Sequence, residues 1–204
     1  MRTRHVIVFA RLPRLGRGKR RLAAGVGDVA AWRFARLTLA VVLRRLARDG
    51  RWTLWLAVTP DRAVASRGWP AAKMRRIGQG RGDLGARMAR PMRTLPPGPV
   101  VVVGSDIPDL DACHVARAFR ALGRHDAVFG PAGDGGYWLV GLRRCPRVPA
   151  GLFRDVRWST ENALADTLAG LPPGTSVAFV DTLEDVDDAA AYKRWRKRAV
   201  FTHT

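Results

Sequence analysis

Residues 100–103 are four consecutive valines, and Gly104, Ser105 and Asp106 follow them directly. β-Branched side chains suit a pleated ladder, and an apolar run without alternation implies a strand covered on both faces. Such a strand belongs in a mainly parallel sheet with helices on each side. Gly104 ends it, and Asp106 stands where the chain turns. In open parallel sheets ligands bind beyond the carboxyl ends of the strands. Asp106 is therefore placed either to hold a metal ion or polar ligand, or simply to cap the turn into the next helix.

The rest of the chain alternates in the same style. Residues 5–10 predict a first buried strand. Residues 28–49 predict a helix whose face of Trp32, Ala35, Leu39, Val42, Leu43 and Leu46 is expected in the core, with Gly50 as its stop. A strand over 52–58 and a short one over 73–77 come next. Asp83 is placed to cap a helix reaching about residue 93, and a further helix is expected over 111–122. Strands at 126–131 and 137–142 flank Ala132-Gly133-Asp134-Gly135-Gly136, which predicts an antiparallel hairpin. Asp134 fits ordinary turn chemistry there as well as a site. Ser159 or Thr160 can cap a helix to about 169, which Pro172 and Pro173 break, and 176–180 form a last strand. With no internal repeat or low-complexity linker, the expectation is one α/β domain over 1–204. It is a three-layer α/β/α sandwich with a mixed, mainly parallel sheet.

Composition narrows the function classes. No apolar run is long enough for a membrane span, so a cytoplasmic protein is expected. Cys113 and Cys145 have neither metal nor disulfide spacing and are expected to be reduced and incidental. Lys and Arg number 36 against 17 acids, a net charge of +19 that invites a polyanion. Most arginines are scattered, but 11–21 holds a cluster without an acid. That stretch follows the first strand and carries Gly16, Gly18 and Lys19. Glycines let a backbone approach phosphates and lysine supplies a compact charge. The loop has neither the P-loop ending nor the dinucleotide fingerprint, and a solvated basic turn is the plain alternative. Glycines are dense again over 78–85, which suggests something close against the backbone. Residues 184–188 are acidic; helix capping accounts for one or two of them, and a divalent cation site for the rest.

Taken together, several pieces resemble one family. They are the loop from Pro13 through Lys19 and Arg21 to Leu22; Gly82-Asp83-Leu84-Gly85; Gly104-Ser105-Asp106-Ile107-Pro108-Asp109; Gly133-Asp134-Gly135-Gly136-Tyr137-Trp138; Trp158-Ser159-Thr160; and Asp185-Val186-Asp187. In this order and spacing the chain resembles predicted glycosyltransferases of the nucleotide-diphospho-sugar transferase fold (GT-A type), some associated with arsenosugar biosynthesis and formerly a domain of unknown function. The family has lysine at the position of Arg11 and a small hydroxyl residue at that of Arg20.

The resemblance implies a transferase that uses a nucleotide sugar, a small-molecule acceptor and Mg²⁺ or Mn²⁺. It implies nucleotide binding by Arg11, Gly16, Gly18, Lys19, Arg21 and Ser105, with Gly82, Asp83 and Gly85 near base or ribose. Asp106 and Asp187 are the implied metal ligands. Lys19, Asp106 and Asp134 are the implied catalytic residues, with Asp109 as the other possible base. The loop is also similar to that of the guanylyltransferase that activates 2-phospholactate. A nucleotidyltransferase, joining a nucleoside monophosphate from a triphosphate to a phosphorylated acceptor, is therefore the alternative. A nucleic-acid-binding protein is less favoured, because Trp32, Trp52 and Trp55 fall in elements expected in the core rather than along a basic stripe.

Overall fold

The computed structural model describes residues 3–70, 74–144 and 148–201. Its strands are β1 (His5–Arg11), β2 (Thr53–Thr59), β3 (Arg75–Gly78), β4 (Val100–Gly104), β5 (Ala127–Pro131), β6 (Tyr137–Leu142) and β7 (Val177–Phe179). They form one seven-stranded sheet in the order β3-β2-β1-β4-β6-β5-β7. β1 pairs in parallel with β2 and β4, β2 with β3, and β5 with β7. β6 is antiparallel to both β4 and β5, which makes the sheet mixed. The expected hairpin is present, and its second strand returns between β4 and β5.

The helices are α1 (Arg20–Val26), α2 (Asp28–Ala47), α3 (Leu84–Thr94), α4 (Ala112–Ala121), α5 (Ala163–Ala169) and α6 (Ala189–Phe201). The valine run explains itself once they are placed. Val101 and Val103 join Val6 and Val8 in a core with Leu39, Leu43 and Leu46 of α2 and Val115 and Phe119 of α4. Val100 and Val102 join Ile7 on the other face, against Met88 and Met92 of α3. Successive side chains of a strand point to opposite faces, so a strand packed by helices on both sides needs no polar alternation. A third cluster, Leu22, Ala31, Phe34, Val186 and Ala191, ties α1 and α2 to α6.

Several boundaries differ from the sequence expectation. The basic loop, expected to reach Leu22, ends sooner: α1 takes up Arg20, Arg21 and Leu22, and Leu22 is its fully buried side chain. Trp32 and Ala35 are not core: they are half-buried, and the buried face of α2 runs instead through Ala31, Phe34, Thr38, Leu39, Val42, Leu43 and Leu46. α5 begins at Ala163, not at 159–160, because Thr160 turns back to donate to Arg157 O at 2.7 Å and Ser159 has φ 61°. β3 begins at Arg75. Lys73 and Cys145 lie outside the described residues, and Cys113 is an exposed free thiol. Asp83 caps α3 as expected, accepting from Ala86 N at 2.7 Å. Among the described residues no helix is long and apolar enough to cross a membrane.

Candidate functional site

The basic loop after β1 returns to the sheet because its far end is anchored. Leu22 is fully buried, and α1 approaches α6 so closely that a Cβ on Gly25 would overlap Ala189. Lys19 precedes α1 in a left-handed conformation, φ 49° and ψ 40°. The segment after β7 is stitched to the end of β4 by Val186 N donating to Asp106 O at 3.0 Å. Residues 19, 106 and 187, far apart in sequence, thus meet at the carboxyl ends of the central strands.

Lys19 Nζ lies 2.9 Å from Asp106 Oδ2 and 2.5 Å from Asp187 Oδ1, with its side chain only 11% exposed. It also donates to Val186 O at 2.7 Å. Arg21 reaches the other Asp187 oxygen at 3.0 Å, and Ser105 Oγ donates to Asp106 at 3.3 Å. Burial would lower the Lys19 pKa, but Asp106 and Asp187 outweigh it and hold it above the usual lysine range. Burial likewise works to raise Asp187, and Lys19 and then Arg21 reverse this and hold it below the usual carboxylate range. Asp185 has no such partner dominating it. Burial first, then Asp187 and Asp134, push its carboxyl up to about 6.

Two cavities meet at this cluster. One of about 490 Å³ lies between the basic loop and α2, lined by Arg11, Gly16, Gly18, Lys19, Trp32 and Ser105 among others. Another of about 280 Å³ lies over β4 and β6, walled by Met88, Tyr137, Trp158, Asp134 and Asp185. Arg21, Asp106 and Asp187 border both. A group bound in one cavity would face a group bound in the other across two carboxylates and an arginine.

The residues singled out in the sequence are distributed unevenly. Arg11, Gly16, Gly18, Lys19, Arg21, Ser105, Asp106 and Asp187 all border the first cavity, and Asp134 borders the second. Gly82, Asp83 and Gly85 line neither. At Gly85 packing requires the glycine: a Cβ there would sit 2.5 Å from Phe153 Cβ and 2.9 Å from the Trp158 ring. Asp109 lines neither of these two cavities but borders a third of about 500 Å³ with Arg21, Asp134, Asp185 and Asp187, and it pairs with Arg198 at 3.3 Å. Asp134 does accept from Gly136 N at 2.9 Å, so the turn role and a place on the cavity wall coexist. Within the acidic run, Glu184 pairs with Arg194 and Arg198, and Asp188 accepts from Ala191 N at 2.8 Å. Arginine pairing thus accounts for Glu184 and helix capping for Asp188. Trp32, expected in the core, lines the first cavity instead, because a cavity-facing ring has the same helical spacing as a core ring. Trp158 carried a signal in its Trp-Ser-Thr motif, but no sequence argument placed it against Tyr137, whose ring lies at 6.5 Å.

The donor set limits what metal could be held. Among the described residues no cluster of three or more His, Cys, Asp or Glu side chains is arranged to bind one. Asp106 and Asp187 offer two carboxylates. That suits Mg²⁺ or Mn²⁺, which take one or two carboxylates and complete their shell with substrate phosphates and water. It does not suit a cage made by protein alone.

Comparison with known proteins agrees with this architecture. Residues 42–160 match the model of a family described as "Uncharacterized protein conserved in bacteria (DUF2064)". That span includes Asp106 and Asp134 but neither Lys19 nor Asp187. Against curated protein sequences nothing matches. Among solved structures, the chain is similar to a candidate nucleotide-diphospho-sugar transferase from Desulfovibrio desulfuricans G20. They share 29% identity with a TM-score of 0.83, over 92% of this chain and 84% of that one. A nucleotidyl transferase from Methanothermobacter thermautotrophicus has 14% identity and a TM-score of 0.65, over 98% and 99% of the two chains. Glucosyl-3-phosphoglycerate synthase from Mycobacterium tuberculosis, in complex with Mn²⁺, UDP and glucosyl-3-phosphoglycerate, has 15% identity and a TM-score of 0.54. That match covers 90% of this chain and 71% of that one. The last two likenesses concern the fold.

Proposed function

The chain belongs to the bacterial family DUF2064, and we propose that it is a metal-dependent glycosyltransferase moving a sugar from a nucleotide donor to a hydroxyl of a small acceptor. The observation that carries the reading is the position of Lys19, Asp106 and Asp187 between two cavities of opposite character. The first has a basic, glycine-bearing rim suited to a diphosphate. Its glycines leave backbone accessible and its arginines supply the charge.

The second cavity favours glycosyl over nucleotidyl transfer. Asp106, Asp134, Asp185 and Asp187 border it, with Arg21 as its one arginine and aromatic walls from Tyr137 and Trp158. Carboxylates repel a phosphorylated acceptor and accept hydrogen bonds from hydroxyls. Aromatic faces give a sugar-sized ligand apolar area at little entropic cost.

The chain's own residues then divide the work. Arg11 and the glycine loop bind the donor phosphates. Lys19 and Arg21 stabilise charge that develops on the leaving diphosphate. Asp106 and Asp187 hold Mg²⁺ or Mn²⁺, which when bound acts as a Lewis acid on phosphate oxygens. An inverting transfer also needs a base for the acceptor hydroxyl. Asp134 and Asp185 both face that cavity. Asp185 is the better suited, because burial and the neighbouring carboxylates of Asp187 and Asp134 hold its carboxyl near 6.

Thermal shift with nucleotide sugars and nucleoside triphosphates, each with and without Mn²⁺, tests the reading, since a ligand of the native state raises its Tm. A nucleotide sugar with Mn²⁺ is expected to give the largest shift, and the triphosphates are expected to release no pyrophosphate. Pyrophosphate released from a triphosphate would instead establish nucleotidyl transfer.

A further inference from the structure

The two carboxylates assigned to a cation already hold one. Lys19 Nζ bridges Asp106 Oδ2 and Asp187 Oδ1 at 2.9 and 2.5 Å. We infer that Lys19 occupies the metal seat of the ligand-free protein, so that the metal ion and a diphosphate bind as a pair and each only weakly alone. The inference rests on the phosphate-site reading given above.

An ion approaching Asp106 and Asp187 meets a resident positive charge. Displacing that charge would strip a side chain that is 11% exposed of both carboxylates, leaving only Val186 O at 2.7 Å. A buried ammonium without its counter-charges is costly. A diphosphate removes the obstacle. Lys19 also lines the first cavity, together with Gly18 and Ser105, so an anion there offers the ammonium a new partner close to the old one. Arg21 presents no barrier of its own: its side chain is 73% exposed and borders both cavities. The backbone need not move, because Leu22 pins the start of α1 in the cluster with Phe34 and Val186. Only the lysine side chain exchanges carboxylates for phosphate. Thermodynamic linkage then requires the preference to run both ways, with metal tightening diphosphate as much as diphosphate tightens metal. The two reactants that make a productive donor complex are thereby counted before the site assembles.

The test is Mn²⁺ binding to the whole chain, followed by electron paramagnetic resonance of the free ion. It compares wild type, Lys19→Gln, and Lys19→Gln combined with Asp106→Asn, with circular dichroism confirming that each is folded. Lys19→Gln is expected to bind Mn²⁺ alone at least tenfold more tightly than wild type, and Asp106→Asn to abolish the gain. No gain, or a gain that survives Asp106→Asn, overturns the inference. Should Lys19→Gln not fold, wild type decides. Mn²⁺ is expected to bind at least tenfold more tightly with inorganic pyrophosphate present, and equal affinity overturns the inference. Pyrophosphate that fails to bind wild type under any condition overturns the phosphate-site reading instead, while the Lys19→Gln comparison still reports on the metal seat.

Discussion

The residues of the acidic segment differ in what their charge does to the folded state. Asp187 has its carboxyl held down by Lys19 and Arg21, so its stabilisation is present above its ordinary value of 3.8 and is lost only as pH falls below that. Asp185 has the opposite sign. Its carboxyl is raised to about 6, so the folded state binds the proton more tightly than the unfolded chain and loses stability as pH rises from 3.8 to about 6. In metal-free buffer, Asp185→Asn is therefore expected to raise Tm at pH 7–8 by a few degrees, at about 2–4 °C per kcal/mol for a chain of this length. The gain should vanish near pH 4. Asp187→Asn should lower Tm at neutral pH, because it leaves Lys19 with one carboxylate. Thermal melts of the two variants and wild type from pH 4 to 8 decide it; a Tm for Asp185→Asn below wild type at pH 8 would remove Asp185 from its role as a strained carboxylate.

Among the elements, the hairpin turn between β5 and β6 is sensitive to a small change. Gly135 has φ 83°, and a Cβ there would run into the Glu161 backbone at the start of the α5 region. Gly135 O in turn accepts from Leu164 N at 3.1 Å, which locks the turn to α5. A side chain must distort the turn or push α5 away, and either costs on the order of 2 kcal/mol or more. Gly135→Ala is expected to lower Tm by about 4 °C or more and to weaken ligand binding in the cavity that Asp134 and Tyr137 line. A wild-type Tm for the alanine variant would show that the turn yields. The Asp-Gly-Gly pattern announced a hairpin, and its turn chemistry was sufficient for that. The helix seated against it could not be read from it, because that contact is made by a segment some twenty-five residues further on.

Across the whole molecule, the sheet binds the two ends of the chain together. β1 is central, and β7, near the far end, pairs with β5. Val186 and Ala191 pack with Leu22 and Phe34. If these contacts join the chain into one cooperative unit, it should melt in one step. Tryptophan fluorescence and far-ultraviolet dichroism are expected to give coincident transitions in urea, and two separated midpoints would divide the chain in two. The net charge of +19 becomes less of a clue at this scale. Arginines pair with Asp49, Asp126, Asp166, Asp181 and Glu184, while those of the basic loop line the first cavity, Arg21 reaching the second as well.

The sequence by itself determined the buried strands, the mixed α/β architecture and the chemical character of the loop at 11–22. Each follows from local chemistry: β-branched runs, glycine placement and charge. It also marked Asp106, since a strand end is visible in the residues that terminate it. Only the tertiary structure decided what that aspartate faces. Lys19 and Asp187 are separated by 168 positions, and their 2.5 Å contact depends on α1 being pinned by Leu22 and on Val186 being hydrogen-bonded to Asp106. The same holds for Trp32, Trp158 and Asp185, whose residue types suit either core, turn or site. Local propensity specifies elements, whereas a site between elements is specified by packing, and packing is a property of the assembled chain.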